Sequence, residues 1–356
     1  MEYTLLLQKI ESHYKNQLPF ILYSLPDSNR VIVYLQKDST LYETMDFTEK
    51  SVVFAPFDYK EVAICIPAEH SELFEIEYDK KSFPDSEIKI TEDEEEKERY
   101  IKMVQKARNT ILLQNANKIV VSRKKKIPIP DFDLSNLIES LLNTHPSAFR
   151  YVWYHPNTGL WCGATPEILV ETDGVSFSTM ALAGTQVYSK NTSDYWSPKE
   201  IEEQKLVTDV ITNNLQNITS VLKISKTYNQ RAGTLVHLRT DIKGILKKGK
   251  ATLATISSSL HPTPAVCGTP KKNAKNFIHE NEEYDREYYT GFIGPIHKED
   301  AVSQLFVNLR CMKIEKNTAW LYVGGGITGG SVPIDEWEET KNKLHTMLQV
   351  LQPVLK

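Results

Sequence analysis

The chain has only 4 cysteines in 356 residues. Cys65, Cys162, Cys267 and Cys311 lie far apart and form no CxxC pair. That argues against a zinc site and fits reduced thiols in a cytoplasm. No apolar run approaches the roughly 20 residues a membrane-spanning helix needs. The start, Met1-Glu2-Tyr3, carries an acid early and lacks the apolar stretch and cleavage site of a secretory leader, so a cytoplasmic location is expected. Nor is there an excess of one charge. The 42 Lys and Arg against 46 Asp and Glu give a net charge of -4, which offers no electrostatic case for nucleic acid or a membrane surface. The densest basic run, Arg123-Lys124-Lys125-Lys126, gives way to Ile127-Pro128-Ile129-Pro130 and reads as a solvated loop. Repeats and long flexible linkers are absent. What is present is ordinary for a globular protein, 40% hydrophobic and 25% charged, and long enough to bury a large core.

Short apolar segments punctuated by turn residues fill the first part: Phe20 to Tyr23, Val31 to Tyr34, Val52 to Ala55 and Val62 to Ile66. A charged helix is expected from Thr91 to Gln114, with the acidic run Glu92 to Glu96 at its start, where carboxylates complement the helix dipole. Arg150 to His155 reads as a strand returning through Pro156–Gly159 into Leu160. Asp173-Gly174, between Ile168–Glu171 and Val175–Met180, signals a two-residue type I′ hairpin. Gln304 to Ile314 and Ala319 to Val323 make another hairpin around Lys316-Asn317. Helices are expected over Lys199–Leu222, Lys271–Tyr289 and Asp335–Leu351. Hairpins with helices between them predict an α+β architecture of large antiparallel or mixed sheets with the helices outside.

The densest chemistry lies near the C-terminus. Gly324-Gly325-Gly326-Ile327 is followed by Pro333, Glu336, Glu339 and Lys343. On a helix the last three share one face, at i, i+3 and i+7. Two carboxylates and an ammonium beside a glycine turn suit a cation and an anionic ligand, although a solvated face with an i,i+4 ion pair gives the same pattern. Gly324, Gly326 and Gly329 also satisfy GxGxxG. A dinucleotide fold needs a further parallel strand and an acid about 20 residues on, for which the sequence given, ending at Lys356, leaves no room. Two more carboxylates continue apolar stripes. Glu203 precedes Leu206, Val207, Val210, Ile211, Leu215 and Ile218, and Glu282 follows Ala274 and Ile278. Buried carboxylates are costly unless paired or bound to a cation. Glu203, Glu282, Glu336 and Glu339 are therefore candidates to converge on one oxygen-ligated Mg²⁺.

Taken in order, Lys118-Ile119-Val120-Val121-Ser122-Arg123, Gly163-Ala164-Thr165-Pro166-Glu167, Leu182-Ala183-Gly184-Thr185, the Glu203 helix, Val236-His237-Leu238, His261 to Gly268, Glu282 to Gly294, Arg310 and the Gly324 to Lys343 block resemble the chorismate-utilising enzymes. This family includes isochorismate, salicylate, anthranilate and aminodeoxychorismate synthases. The resemblance covers residues 95 to 350 and extends weakly to Phe54-Ala55-Pro56-Phe57. It implies one chorismate-binding domain over 1–356: a variable N-terminal part, 1–94, and a motif-bearing core, 95–350. In it two sheets pack orthogonally, with helices outside and the site between them.

By the same resemblance Lys118 is the general base that activates water, where ammonia-using members carry a glutamine-type residue. Ala183 stands where aminodeoxychorismate enzymes often place a nucleophilic lysine. Glu167 is the opposing general acid. Mg²⁺ held by Glu203 and Glu339, with Glu336 and Glu282 close by, takes the ring carboxylate of chorismate. Arg310 and the Gly324 N–H take the enolpyruvyl carboxylate, Gly184 and Thr185 approach the ring, and Lys343 adds charge beside the metal. His237 reads equally as a structural histidine or a substrate contact. Gln204 departs from the family's usual histidine and Pro295 from its tryptophan. The expected activity is isochorismate synthase, supplying menaquinone or siderophore synthesis. The alternatives are a salicylate synthase and a catalytically silent partner subunit. The small Ala265 favours the first, and a monomer is expected.

Overall fold

The computed structural model describes residues 3–79, 92–188, 196–232, 235–249, 251–297 and 301–355. Among them are two large sheets and seven helices. The first sheet runs, edge to edge, through Gly268–Thr269, Lys118–Pro128, Thr318–Ile327, Cys311–Glu315, Gly159–Thr165, Phe149–His155, Phe20–Ser24, Arg30–Gln36 and Ser71–Glu77. The second runs through Thr219–Ile224, Leu235–Leu246, Ser176–Val187, Ile168–Thr172, Ser303–Val307, Phe292–Ile296, Ser51–Ala55, Ala63–Pro67 and Tyr42–Thr44, with Tyr228–Ala232 also pairing Leu235–Leu246. Neighbouring strands are antiparallel throughout, for example Ser122 opposite Gly324 and Ala181 opposite Thr240. Antiparallel neighbours on the glycine-bearing strand Thr318–Ile327 leave no βαβ unit there.

The two sheets face each other, and alternation along each strand sorts its side chains into separate cores. In Phe20–Ser24, Phe20 and Leu22 pack outward with helices Tyr3–Lys15, Leu134–Thr144 and Pro333–Leu351. Ile21 and Tyr23 point inward to Phe54, Ile293 and Phe306 of the second sheet. The outer face of the second sheet packs on helices Pro198–Leu215 and Leu253–Leu260 through Val207, Ile211 and Ile256. Helices Glu94–Leu112 and Lys271–Asn281 meet the Lys118 strand through Val104, Ala274 and Ile119. Such double burial explains why many strands read as continuous apolar runs.

Several expectations are corrected. Gln304–Ile314 is not one strand: Ser303–Val307 lies in the second sheet and Cys311–Glu315 in the first. Arg310, at φ +47°, turns the chain between them. The Asp173-Gly174 turn is longer than two residues, because only Gly174 has positive φ and a type I′ turn needs two such residues. The Asp173 carboxylate instead accepts from the N–H groups of Val175 and Ser176. The helix begun at Lys199 stops at Leu215 and a strand follows from Thr219. Its buried stripe is Gln204, Val207, Ile211 and Leu215, rotated from the expected one. The helix after Pro270 ends at Asn281. The basic run is strand, not loop: Arg123 is buried, ion-paired with Glu96 and stacked 4.0 Å over the Trp337 ring. The charged helix begins at Glu94, with Asp93 as its N-cap. Thr91, its expected first residue, and Met1 and Glu2 lie outside the described residues. No helix among the described residues is long and apolar enough to cross a membrane.

Candidate active site

The site lies where the chain crosses from one sheet to the other. Two of the crossovers frame it: Pro166-Glu167, between Gly159–Thr165 and Ile168–Thr172, and Asn308 to Arg310. They are tied together: the Ala164 N–H donates to the Arg310 carbonyl (3.0 Å), the Val307 N–H to the Glu167 carbonyl (2.9 Å), and Thr165 Oγ1 to the Val307 carbonyl (2.6 Å). A cleft at this junction is lined by Glu167, Gly184, Thr185, Glu203, His237, Arg310, Gly324, Gly326, Glu339 and Lys343. Most of the expected site residues therefore share one surface.

Glu167 is buried in this cleft. Burial pushes its carboxyl up to about 7, against the opposing pull of Lys118, Arg310 and Lys343. A carboxylic acid that keeps its proton near neutrality can donate it. Lys118 stands at the start of strand Lys118–Pro128 and is 1% exposed. Its Nζ lies 2.8 Å from Glu203 Oε1, an ion pair without hydrogen-bond geometry, and among the described residues no hydrogen-bond partner reaches it. Lys118 does not form the cleft surface; it sits directly behind Gly326 and Glu203, which do.

Glycines 324–326 hold the polar face of helix Pro333–Leu351 close. A Cβ on Gly325 would sit 3.1 Å from Glu336 Oε2, and one on Gly326 only 2.5 Å from Glu203 Oε1 and 2.8 Å from Lys118 Cε. Side chains are excluded here so that charged groups can meet over bare backbone. Lys343 Nζ pairs with Glu339 (2.6 Å) and donates to the Gly324 carbonyl (3.0 Å). Burial opposes the charge of Glu339, but Lys343 prevails and keeps this carboxylate below its ordinary range. Burial, helped by the charge of Glu339, raises Glu336. Glu336 lies in an adjoining chamber, where its Oε1 accepts from Lys199 Nζ at 2.6 Å. Lys199 loses favour by burial, yet Glu336 holds its ammonium above the usual lysine range.

Glu203, Glu336 and Glu339 are hard oxygen donors of the kind Mg²⁺ takes. Glu336 Oε2 is buried with no hydrogen bond of good geometry among the described residues, and the Ser331 hydroxyl nearby favours its charge. The donor chemistry thus fits the ion. Each carboxylate is also held by its own lysine, and no group of three or more acidic, His or Cys side chains is drawn to ligating distance among the described residues. Glu282 is not part of this set. It caps the end of its helix, accepts from Ser122 N–H (2.7 Å) and Oγ (2.8 Å), and pairs with buried Arg286. Its burial is satisfied by a guanidinium only four residues on, an i,i+4 partner that the sequence reading did not weigh.

Arg310 lines the cleft with one weak side-chain hydrogen bond, Nη1 to Thr346 Oγ1 at 3.3 Å, and no ion pair among the described residues. Burial lowers its pKa. A guanidinium short of acceptors is ready for a carboxylate. Gly184, at φ +71°, lies against Glu200 of the neighbouring helix beside a bulge in strand Ser176–Val187. Its carbonyl bonds His237 Nδ1 (3.1 Å), and Thr185 Oγ1 lies 3.2 Å from the same nitrogen. Burial, then Arg310 and Lys343, lowers His237 to about 3, so the ring is neutral. With Nδ1–H given to Gly184, Nε2 is a bare acceptor, buried without a partner. Gln204 faces away from the cleft, donating to the Ala181 carbonyl (2.9 Å) and Thr240 Oγ1 (3.0 Å). Ala183 and Ala265 are cleft residues. Sequence reasoning missed Lys199 and Tyr289, the latter also in the cleft wall; neither carries a spacing signal.

A chorismate-binding enzyme family model matches residues 44–352. The chain belongs to the chorismate-binding enzymes. Isochorismate synthase EntC of Escherichia coli is 33% identical over 258 residues, covering 70% of this chain and 66% of EntC. The chain spans between half and two thirds of the length of the first curated relatives. Among solved structures, the Bacillus anthracis protein assigned as the 2,3-dihydroxybenzoate-specific isochorismate synthase DhbC superposes with a TM-score of 0.79 at 25% identity, covering 97% of this chain and 99% of that one. The menaquinone-specific isochorismate synthase MenF of Escherichia coli superposes with a TM-score of 0.76 at 21% identity, over 94% and 88% of the two chains. In this chorismate-binding enzyme the cleft at the sheet crossovers is the candidate active site.

Proposed function

We propose that this chorismate-binding enzyme is an isochorismate synthase, interconverting chorismate and isochorismate in the crossover cleft. The observation that carries this reading is Glu167, a buried carboxyl held near pKa 7 in a cleft whose nearest charges are the cations Lys118, Arg310 and Lys343. Chorismate brings two carboxylates that match Arg310 and Lys343. Lys118, an ammonium in its resting pair with Glu203, first releases its proton; water then adds at C2 and gives a proton to the neutral Lys118 amine. The ring double bonds shift, the C4–O bond breaks, and Glu167 protonates the departing oxygen. Deprotonated Glu167 and protonated Lys118 then run the reverse direction. Arg310 holds the enolpyruvyl carboxylate with the Gly324 backbone, and Gly184 and Thr185 bound the ring. His237, neutral with Nε2 bare, accepts a hydrogen bond and is not a proton donor. Glu203, Glu336 and Glu339 are the residues that would hold Mg²⁺, which when bound supplies positive charge to the ring carboxylate.

The presence of Lys118 and the small Ala183 support water over an amine as nucleophile. Ala265 in the cleft wall brings no hydroxyl to fold the product toward pyruvate loss, which favours release of isochorismate over conversion to salicylate. Intact Lys118 and Glu167 argue against a silent subunit. The test is incubation with chorismate and Mg²⁺ and chromatographic separation of products. Isochorismate reachable from either side is expected. Stoichiometric pyruvate with salicylate would replace this reading by salicylate synthase, and unchanged chorismate would leave a binding subunit.

A further inference from the structure

The chamber beside the cleft holds a lysine of unusual position. Lys199 stands in the first turn of helix Pro198–Leu215. The chamber measures about 420 Å³, and Lys199, Asp335, Glu336, Glu339 and Asn342 are among its walls. The three lysine–carboxylate pairs of the site are not equivalent. Lys118 is 1% exposed and confined beneath Gly326. Lys343 is anchored a second time, to the Gly324 carbonyl. Lys199 has 24% of its side chain in solvent, against 15% for Lys343 and 1% for Lys118, and Glu336 as its acceptor, so of the three it has the most open path outward. The charges of Glu336, Glu339 and Glu203 all bear on it. Its ammonium stands where the fields of the three candidate ligands overlap.

Building on the reading of those carboxylates as Mg²⁺ ligands, we propose that Lys199 is a built-in competitor for the divalent cation. An ammonium 2.6 Å from Glu336 Oε1 and a Mg²⁺ at about 2.1 Å from an oxygen of the same carboxylate repel each other. The same repulsion acts on Lys118 and Lys343, but Lys199 is the most exposed of the three and the one with room to relieve it by moving. Binding of the ion moves Lys199 into the outer chamber, and departure of the ion returns it. Lys199 thereby keeps buried Glu336 from standing unpaired, a costly state, and sets how tightly the ion is held. The other two lysines, confined where they are, do not exchange in this way.

The experiment is a Mn²⁺ titration of the full chain, read from the electron paramagnetic resonance of the free ion, with wild type, Lys199→Met, Lys199→Gln and Lys199→Arg. Removing the competitor in Lys199→Met or Lys199→Gln should tighten binding by roughly tenfold or more, the usual scale of such coupling. Lys199→Arg, which keeps the cation, should remain nearer to wild type than to Lys199→Met. Using two neutral variants covers the failure of either one to fold. Equal or weaker affinity in the neutral variants overturns the competition and leaves the metal reading standing. Absence of Mn²⁺ binding in all four chains overturns the metal reading itself.

Discussion

Lys118 Nζ lies 2.8 Å from Glu203 Oε1, and the two side chains meet over Gly326, where a Cβ would come within 2.5 Å of the carboxylate and 2.8 Å of Lys118 Cε. An added methyl must push one of them aside. Gly326→Ala should therefore lower turnover of chorismate by roughly 100-fold, the scale of a 1 Å misplacement of a reacting group. Steady-state kinetics within a few-fold of wild type would show that the pair tolerates separation.

Lys118→Gln removes the amine while keeping a side chain of similar length. We expect kcat to fall by about 10²-fold or more, as for loss of a general base. Chorismate binding, followed by calorimetry, should persist because Arg310 and Lys343 remain. Near-normal isochorismate formation would remove Lys118 from the mechanism.

Glu167 makes opposite demands on activity and stability. As the proposed acid for C4 it must be protonated, so the forward rate should fall as pH rises through about 7. Its folded pKa is raised above the ordinary value, so the folded state prefers the proton. Below about pH 4.5 the group costs nothing. The penalty grows as pH rises from there and is fully present above about 7, on the order of 3 kcal/mol. Glu167→Gln should abolish turnover yet raise Tm over wild type at pH 8 and not at pH 4.5. Equal Tm differences at the two pH values would contradict the raised pKa.

For the proposed metal carboxylates, Glu339→Gln keeps the shape next to Lys343 but removes a charged candidate ligand. Turnover should collapse and Mg²⁺ affinity should weaken, with the fold retained by circular dichroism. Wild-type turnover that survives EDTA at full rate would eliminate the metal from the reaction.

Arg286 is a structural counterpart. Its guanidinium bonds both Glu282 oxygens (2.5 and 2.8 Å) and the carbonyls of Val120 and Val266, joining two stretches of the cleft wall. Arg286→Met strands a buried carboxylate and should cost about 3–5 kcal/mol in denaturant unfolding. A loss below about 1 kcal/mol would mean that Glu282 readily finds another partner.

The sheets were legible because hairpins announce themselves locally, and the carboxylate helix because i, i+3 and i+7 positions share a face regardless of context. What escaped the sequence depends on which partner each side chain meets in the fold, near or far along the chain. Glu282 looked like a metal ligand until Arg286 was seen to satisfy it. Gln304–Ile314 looked continuous because both halves are apolar strands; only the positive φ of Arg310 separates them. Arg123 in a lysine run looked solvated, whereas Glu96 and Trp337 bury it. Motif order brought Glu167, Arg310 and the glycines to one cleft, and i,i+4 spacing offered Lys343 to Glu339, but Lys118 against Glu203 and Lys199 against Glu336 emerge only from the fold.

The crossovers give the site an uneven durability. Glu167 and Arg310 issue from strands in the middle of both sheets, whereas Lys118 begins a strand guarded only by the two-residue edge Gly268–Thr269. Central backbone opens only near global unfolding, while edges fray at lower free energy. Amide hydrogens around Val307 and Ala164 should therefore exchange slowly and those of Asn117 and Val120 sooner. Warming would first loosen the Lys118 side, proposed to activate water, while Glu167, the proposed proton donor, stays fixed, so heat would silence this enzyme before it melts.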